Sequence, residues 1–342
     1  MEPTPLVQPA FTRTPGVTYA QTQGMQVPVI DVTHPAFEVA DDARTVESLR
    51  SAAADLARRS RRAPRFLMRW LLRSAVKRSF LARALMQPGQ SVLPGMSTYM
   101  MKLGAGNLVP PFNGRTDRRF AASPGIMSMR IRLQQTARLL AEGLATTLVQ
   151  HPGAALHLIN IGGGSAIDSL NVLILLRRSG ALMQRRVVIH LLDPDTSGPA
   201  FAARALAALS AAGGPLAGLA ASLVHTSYNW EQTQPLERLV ADLMAEGAVI
   251  AASSEGALFE YGSDEFVVAN LKALSAGGAG AVLVAGTVTR ADDMTRQTLA
   301  YSPFKLVPRG EARFAELIAG SGYSLERAEH SLISDQVLLR RA

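Results

Sequence analysis

Within residues 157–168, HLINIGGGSAID, a short apolar run breaks into three consecutive glycines and resumes with the spacing of an apolar-faced helix. Backbone without Cβ atoms can be approached closely. The first amides of the following helix, which have no intrahelical acceptor, point toward whatever approaches. In open α/β sheets such turns, at the carboxyl ends of parallel strands, are the usual ligand crevice. A second strand pattern, 187–192, follows one αβ unit later and ends in Asp193. An acid there accepts hydrogen bonds from both hydroxyls of a ribose, so the pair reads as a nucleoside site. The alternative is a glycine turn that serves only the packing of an α/β domain.

From 155 onward strand and helix patterns alternate. Strands are expected at 155–161, 187–192, 221–225, 248–252 and 280–285, with helices at 169–178, 200–211, 235–245 and 264–274. Repeated βα units imply a parallel sheet covered on both faces. After a helix at 311–321, residues 323–330 and 336–340 are separated by only a short turn, which predicts a final antiparallel hairpin. The expected fold class is α/β: a doubly wound, mostly parallel sheet with a C-terminal antiparallel hairpin, preceded by a helical N-terminal cap.

The dinucleotide fingerprint G-x-G-x-x-G is not met, because counted from Gly162 its third glycine position holds Ile167. That disfavours nicotinamide and flavin. The same residues fit an acid followed by x-G-x-G-x-G, read as Asn160, Ile161, Gly162, Gly163, Gly164, Ser165 and Ala166. This resembles motif I of the class I S-adenosylmethionine-dependent methyltransferases, with Asn160 in place of the acid and Ala166 in place of the third glycine. The closing hairpin resembles the same fold, and the resemblance spans about 156–342 without singling out a subfamily. It implies S-adenosylmethionine as cofactor, with Gly162, Gly163 and Gly164 along the methionine part, Asn160 near its amino group and Asp193 on the ribose.

The resemblance places the cofactor across the carboxyl ends of the first four strands, so the residues after each are candidates. After the third come Tyr228, Asn229 and Trp230, an amide partner and an aromatic face for adenine, although Trp230 would equally anchor a helix start. The fourth strand ends in the most polar cluster of this half, with Ser253 and Ser254 as cofactor contacts. Glu255 is the candidate general base and Tyr261 a second choice; a hydrogen bond from Glu255 to loop backbone is the competing role. Ser263 or Asp264 reads as a helix cap. No D-P-P-Y or N-P-P-Y follows this strand, against methylation of nucleic-acid bases or glutamine amides. Nor are acids and an Asn arranged as in the magnesium-dependent catechol methyltransferases, so no metal is required. A small-molecule acceptor of the kind met in specialised metabolism, methylated on O, N or S, is the remaining class; the alternatives are a nucleic-acid methyltransferase with a basic N-terminal arm and a non-catalytic nucleotide-binding regulatory domain.

The 342 residues are enough for an α/β domain and a smaller one, and three regions are expected: an extended lead at 1–44 that wraps the domain, a helical cap and lid at 45–150, and the catalytic domain at 151–342. Two helices broken near Pro64 are expected within 45–84, and a long helix starting at Pro124. Between them, 87–114 alternates Pro and Gly with Met and Tyr. In this lid Tyr99, Met100, Met101 and Phe112 are candidate acceptor walls, with Arg115, Arg118 and Arg119 as partners for a carboxylate or phosphate; core packing and surface ion pairs explain the same residue types.

With no cysteine there is neither disulfide nor thiolate chemistry, and the six histidines are scattered without metal-ligand spacing. No apolar run reaches the roughly 18 to 20 residues that span a bilayer, and the first 27 residues lack a charged start and apolar core. The chain therefore reads as cytoplasmic. Its net charge of +8 is localised: residues 44–83 hold twelve Lys and Arg against Glu47 and Asp55, a balance of +10 that leaves −2 elsewhere. A solvated helical face explains the arm without a nucleic-acid partner; an amphipathic helix for RNA or an anionic membrane is the alternative reading. The N-terminal helices are also where copies of the chain could associate.

Overall fold

A computed structural model describes residues 11–62, 78–85, 95–182, 185–299 and 304–342. The break expected near Pro64 and the first part of the expected lid, 87–94, lie outside them.

Seven strands form the main sheet: β3 (Leu156–Ile161), β4 (Val187–Leu192), β5 (Ala221–Thr226), β6 (Val249–Ser254), β7 (Leu283–Thr289), β8 (Tyr323–His330) and β9 (Ser334–Arg341). A two-stranded hairpin, β1 (Tyr19–Thr22) and β2 (Met25–Pro28), precedes them. The main sheet runs in the order β5-β4-β3-β6-β7-β9-β8. Its first five strands are parallel, and β9 pairs antiparallel with both β7 and β8. The doubly wound sheet and closing hairpin are thus as expected.

The pleat divides the core in two. Leu156, Leu158, Val187, Ile189, Leu191 and Ala251 face one cluster, while Ile159, Ile161, Leu192, Ile250 and Ala252 face the other. Burial along the whole of β3 and β6 reflects helices on both faces. The helices between the strands are α6 (Ile167–Arg178), α7 (Ser197–Ser210), α8 (Gln234–Ala245), the short α9 (Leu258–Tyr261) and α10 (Asp264–Ser275), followed by α11 (Asp293–Leu299) and α12 (Gly310–Leu317). The Ser263 hydroxyl accepts the Phe266 amide and caps α10.

The N-terminal third supplies α1 (Ala43–Arg62), α2 (Phe80–Leu85), α3 (Gly95–Lys102), α4 (Arg115–Ala121) and α5 (Pro124–Gln150). Proline opens α5, where its missing amide costs nothing. This helix crosses the sheet beneath β7 and β9, and Gly143 makes the approach possible: a Cβ there would lie 2.9 Å from the Leu283 side chain and 3.0 Å from that of Leu338.

The segment expected to be extended is more ordered than its composition suggests. Gln23 (φ 47°) and Gly24 (φ 77°) form a two-residue turn with both φ positive, which matches the twist of the paired strands β1 and β2. Ala20, Val27, Val29, Ile30 and Phe37 then join the first core cluster. Asn171 of α6 clamps the following chain, accepting the Val32 amide at 2.8 Å and donating to the Ile30 carbonyl at 3.0 Å. Among the described residues no helix is long and apolar enough to cross a membrane.

Candidate functional site

The winding reverses between β3 and β6, and the carboxyl ends of these strands hold the glycine turn. Gly162 (φ 69°) continues the ladder by donating to the Leu192 carbonyl at 2.8 Å, and Gly164 (φ 53°) and Ala166 (φ 49°) are also left-handed. Each glycine is used. A Cβ on Gly163 would lie 1.7 Å from Asn160 Oδ1, and one on Gly162 would lie 2.6 Å from the Ala257 methyl and 3.2 Å from the Trp230 ring. A Cβ on Gly198, at the start of α7, would lie 2.6 Å from the Gly164 carbonyl.

Asp193 lies beside this turn. One carboxylate oxygen accepts the Gly164 amide at 2.8 Å and the other the Asp195 amide at 2.8 Å, while burial pushes its pKa up. Each oxygen keeps a further lone pair. Asp195 accepts the amides of Thr196, Ser197 and Gly198 and so fixes the first turn of α7. The expected adenine residues separate. Trp230 stays at the glycine turn, with its carbonyl held by Asn270 Nδ2 at 2.7 Å. Tyr228 is buried in the second core cluster and donates to Asn270 Oδ1 at 2.6 Å, and Asn229 is exposed.

On the other side of the turn lies a buried polar cluster. Asn160 of β3 and Ser253 of β6 are register partners, so they share a face. Asn160 Nδ2 donates to Asp168 Oδ1 at 2.7 Å and to Ser169 Oγ at 2.8 Å, both in the first turn of α6. Ser254 Oγ donates to the Ile161 carbonyl at 3.0 Å and accepts the Leu258 amide at 2.9 Å, which ties the loop after β6 to the turn after β3. Lys102 of α3 and Arg132 of α5 both pair with Glu255, and Arg132 reaches Glu260 at 3.0 Å. Glu260 also accepts the Thr289 hydroxyl at 2.9 Å. All four charged groups are nearly inaccessible to solvent.

Their electrostatics follow from this pairing. Burial alone would raise the Glu255 pKa, but Arg132 and Lys102 outweigh it and hold the carboxyl below its ordinary value. Burial lowers the Lys102 pKa against the pull of Glu255. Glu260 is raised by burial, and Tyr261 by burial and then by Glu260. A carboxylate fixed between two cations is a weak base, so the setting of Glu255 differs from the proton acceptor expected of it, and from the loop-backbone partner that was its alternative.

The expected acceptor walls do not come together around a space. Tyr99 is 1% exposed, accepts the Ile30 amide at 3.1 Å, donates to the Pro28 carbonyl and packs on Phe201. Met100 and Met101 are buried in the same cluster. Phe112 is half-buried and meets Phe80 edge to face, while Arg115, Arg118 and Arg119 are exposed on α4. These placements follow core packing, the competing explanation for the same residue types. Sequence reasoning missed Lys102, Arg132, Asp168 and Asn270. A signal for Arg132 existed: Ser128, Arg132 and Gln135 share one face of α5 at helical spacing, a polar stripe along a long helix.

No protein-family model matches the sequence, and no match emerges among curated proteins. Solved structures do resemble it. A possible exported protein from Bordetella parapertussis superposes with a TM-score of 0.54 at 16% identity, covering 90% of this chain and 99% of the other. A DUF574 family protein from Streptomyces avermitilis gives 0.46 at 13% identity over 72% and 97% of the two chains. The magnesium protoporphyrin IX methyltransferase of Synechocystis PCC 6803, with bound SAH, gives 0.40 at 15% over 64% and 87%. The last two scores are low, and the sheet itself decides: five parallel strands reversing at β3/β6, closed by an antiparallel pair in which β9 lies between β7 and β8. The fold is Rossmann-like, a doubly wound sheet closed by an antiparallel strand pair, as the sequence led one to expect. The glycine turn, Asp193 and the loop after β6 all lie at the carboxyl ends of neighbouring strands, tied to one another by the Asp193–Gly164 and Ser254–Ile161 hydrogen bonds.

Proposed function

We propose that this protein binds S-adenosylmethionine and transfers its methyl group to a small-molecule acceptor. The observation that carries the reading is Asp193: an acid at the tip of β4, bonded to an amide of the glycine turn after β3 and retaining lone pairs for a ribose. A turn without Cβ atoms and an aromatic ring at its edge fit the rest of such a cofactor. Asp193 would hold the ribose, the backbone of Gly162 to Gly164 the methionine part, and Trp230 would offer its face to the adenine. The bound cofactor supplies a methyl group activated by a positively charged sulfur.

The chain's own contribution is mainly positional, since in-line transfer gains most from holding the nucleophile against the methyl and excluding water. Lys102 and Arg132 dock Glu255, and with it the loop after β6, onto α3 and α5. That loop forms a rigid wall of the site. With Glu255 committed to this docking, the acceptor enters as its own nucleophile, an amine or an anion already deprotonated, rather than as an alcohol needing a strong base. Calorimetric titration with S-adenosylhomocysteine tests the reading; absence of binding refutes it, and binding of a nicotinamide cofactor in its place would point to a different nucleotide site.

The commitment of Glu255 also favours a second reading, a nucleoside-binding domain without transferase activity. Incubation with methyl-labelled S-adenosylmethionine and panels of small amines, phenols and carboxylic acids separates the two. Label transfer to any of them excludes the second.

A further inference from the structure

The polar cluster at the switch point has an uneven charge. Lys102, Arg132, Glu255 and Glu260 pair among themselves, two cations with two carboxylates. Asp168, 2% exposed, is a fifth ionisable group with no ion-pair partner among the described residues. Asn160 Nδ2 engages its Oδ1 at 2.7 Å. Ser253 Oγ, 3% exposed on the neighbouring strand, lies close enough to favour the Asp168 carboxylate, and among the described residues neither it nor Asp168 Oδ2 meets a partner at full hydrogen-bond geometry. A buried acceptor without a partner costs about 1 to 3 kcal/mol and calls for an occupant. Burial and then Glu255 push the Asp168 pKa up, outweighing the pull of Ser253 and Asn160 and the charge of Lys102, which forms no ion pair with it.

We infer that Asp168, with Ser253 beside it, receives the ammonium group of the cofactor's amino-acid end, and that Asn160 is the positioning residue which fixes the Asp168 carboxyl. The inference rests on the cofactor assigned under the proposed function. It explains why the strand-end position 160 holds an amide. An amide can donate to a carboxylate as a second acid could not, so the negative charge stands on the first turn of α6 instead of at the end of β3. There the helix's amino-terminal dipole also favours an anion. A donor-bearing cation would meet Oδ2 and the Ser253 hydroxyl and supply the positive charge that the cluster lacks.

The test compares two probes by calorimetry on the full-length protein: S-adenosylhomocysteine, which carries the ammonium, and 5′-methylthioadenosine, which lacks the amino-acid end. For Asp168→Asn the expected result is at least a tenfold loss of affinity for the first and less than a twofold change for the second. Ser253→Ala should lose less, with the same selectivity. Asn160→Asp, which sets a second acid against Asp168, should also weaken the first probe alone. If Asp168→Asn leaves the affinity ratio of the two probes as in wild type, whether by sparing both or by weakening both equally, the inference is overturned. Should Asp168→Asn fail to fold, Ser253→Ala decides by the same ratio. A wild-type protein that binds neither probe refutes the proposed function and this inference with it. Wild-type binding of both with no selective loss refutes the inference alone.

Discussion

Replacing Lys102 by Met, which keeps the stem and removes the charge, leaves Glu255 and Glu260 sharing the single guanidinium of Arg132. Breaking a buried ion pair from one side costs about 3 to 5 kcal/mol, because the remaining charge stays desolvated. Arg132 still bonds Glu255, so the loss should fall at the lower end, about 3 kcal/mol. Glu255→Gln alone leaves Lys102 as the uncompensated charge and should cost a similar amount. In the double variant one cation and one carboxylate remain, Arg132 and Glu260, still 3.0 Å apart. Its destabilisation should therefore be smaller than the sum of the singles by about 2 kcal/mol, the scale of coupling between residues in one network. Urea unfolding of the four proteins at pH 7, followed by circular dichroism, gives each value. Additive losses, or a Glu255→Gln protein as stable as wild type, would show that the pair does not dock the loop as described.

Three further outcomes are expected. Asp193→Ala should weaken S-adenosylhomocysteine binding by about 1 to 3 kcal/mol, read by calorimetry, since charge-assisted hydrogen bonds to the ribose would be lost; unchanged affinity would remove Asp193 from the site. Tyr99→Phe should cost about 1 to 3 kcal/mol of stability, because it orphans the Ile30 amide and the Pro28 carbonyl, while cofactor affinity stays within twofold; a selective loss of affinity would restore Tyr99 to the binding site. Burial, then His157 and Arg186, push the His190 pKa down to about 4. The unfolded chain therefore binds a proton that the folded one refuses as pH falls from about 6.5, and the stability present above that pH is lost on the way to 4. Discounted for the ring's partial exposure this amounts to about 1 to 2 kcal/mol. Denaturation midpoints for His190→Gln should fall less steeply over that window than those of wild type, and parallel curves would contradict the assignment.

The carboxyl-terminal half was legible because its signals are local. Alternating apolar periods, glycines at the strand ends and an acid after β4 each act within a few residues, and strands and helices there fall close to their expected limits. The β1–β2 hairpin was not legible, because Gln23 takes a positive φ that the sequence does not advertise as Asn or Gly would. At the site, Trp230 and Tyr228 are two residues apart, yet one edges the glycine turn and the other is tied to Asn270 in the core. Residue type cannot separate them, since both roles suit an aromatic ring with a polar handle. Lys102 and Arg132 meet Glu255 across 153 and 123 residues of chain, and nothing in local spacing announces a pairing over such distances.

The clamp of Asn171 on the chain at Ile30 and Val32 spans about 140 residues, with separations of 141 and 139. During synthesis the amino-terminal segment leaves the ribosome long before α6 exists to receive it. Val27, Val29 and Ile30, apolar and destined for the interior, must then wait in water or against transient partners until the first βα unit is made. Closing so long a loop is slow, and apolar chain exposed in the meantime invites aggregation. The part made first is satisfied late. Truncation at the amino terminus consequently leaves a gap in the core in place of a shorter tail, and rapid expression should penalise yield more than the finished fold's stability would suggest.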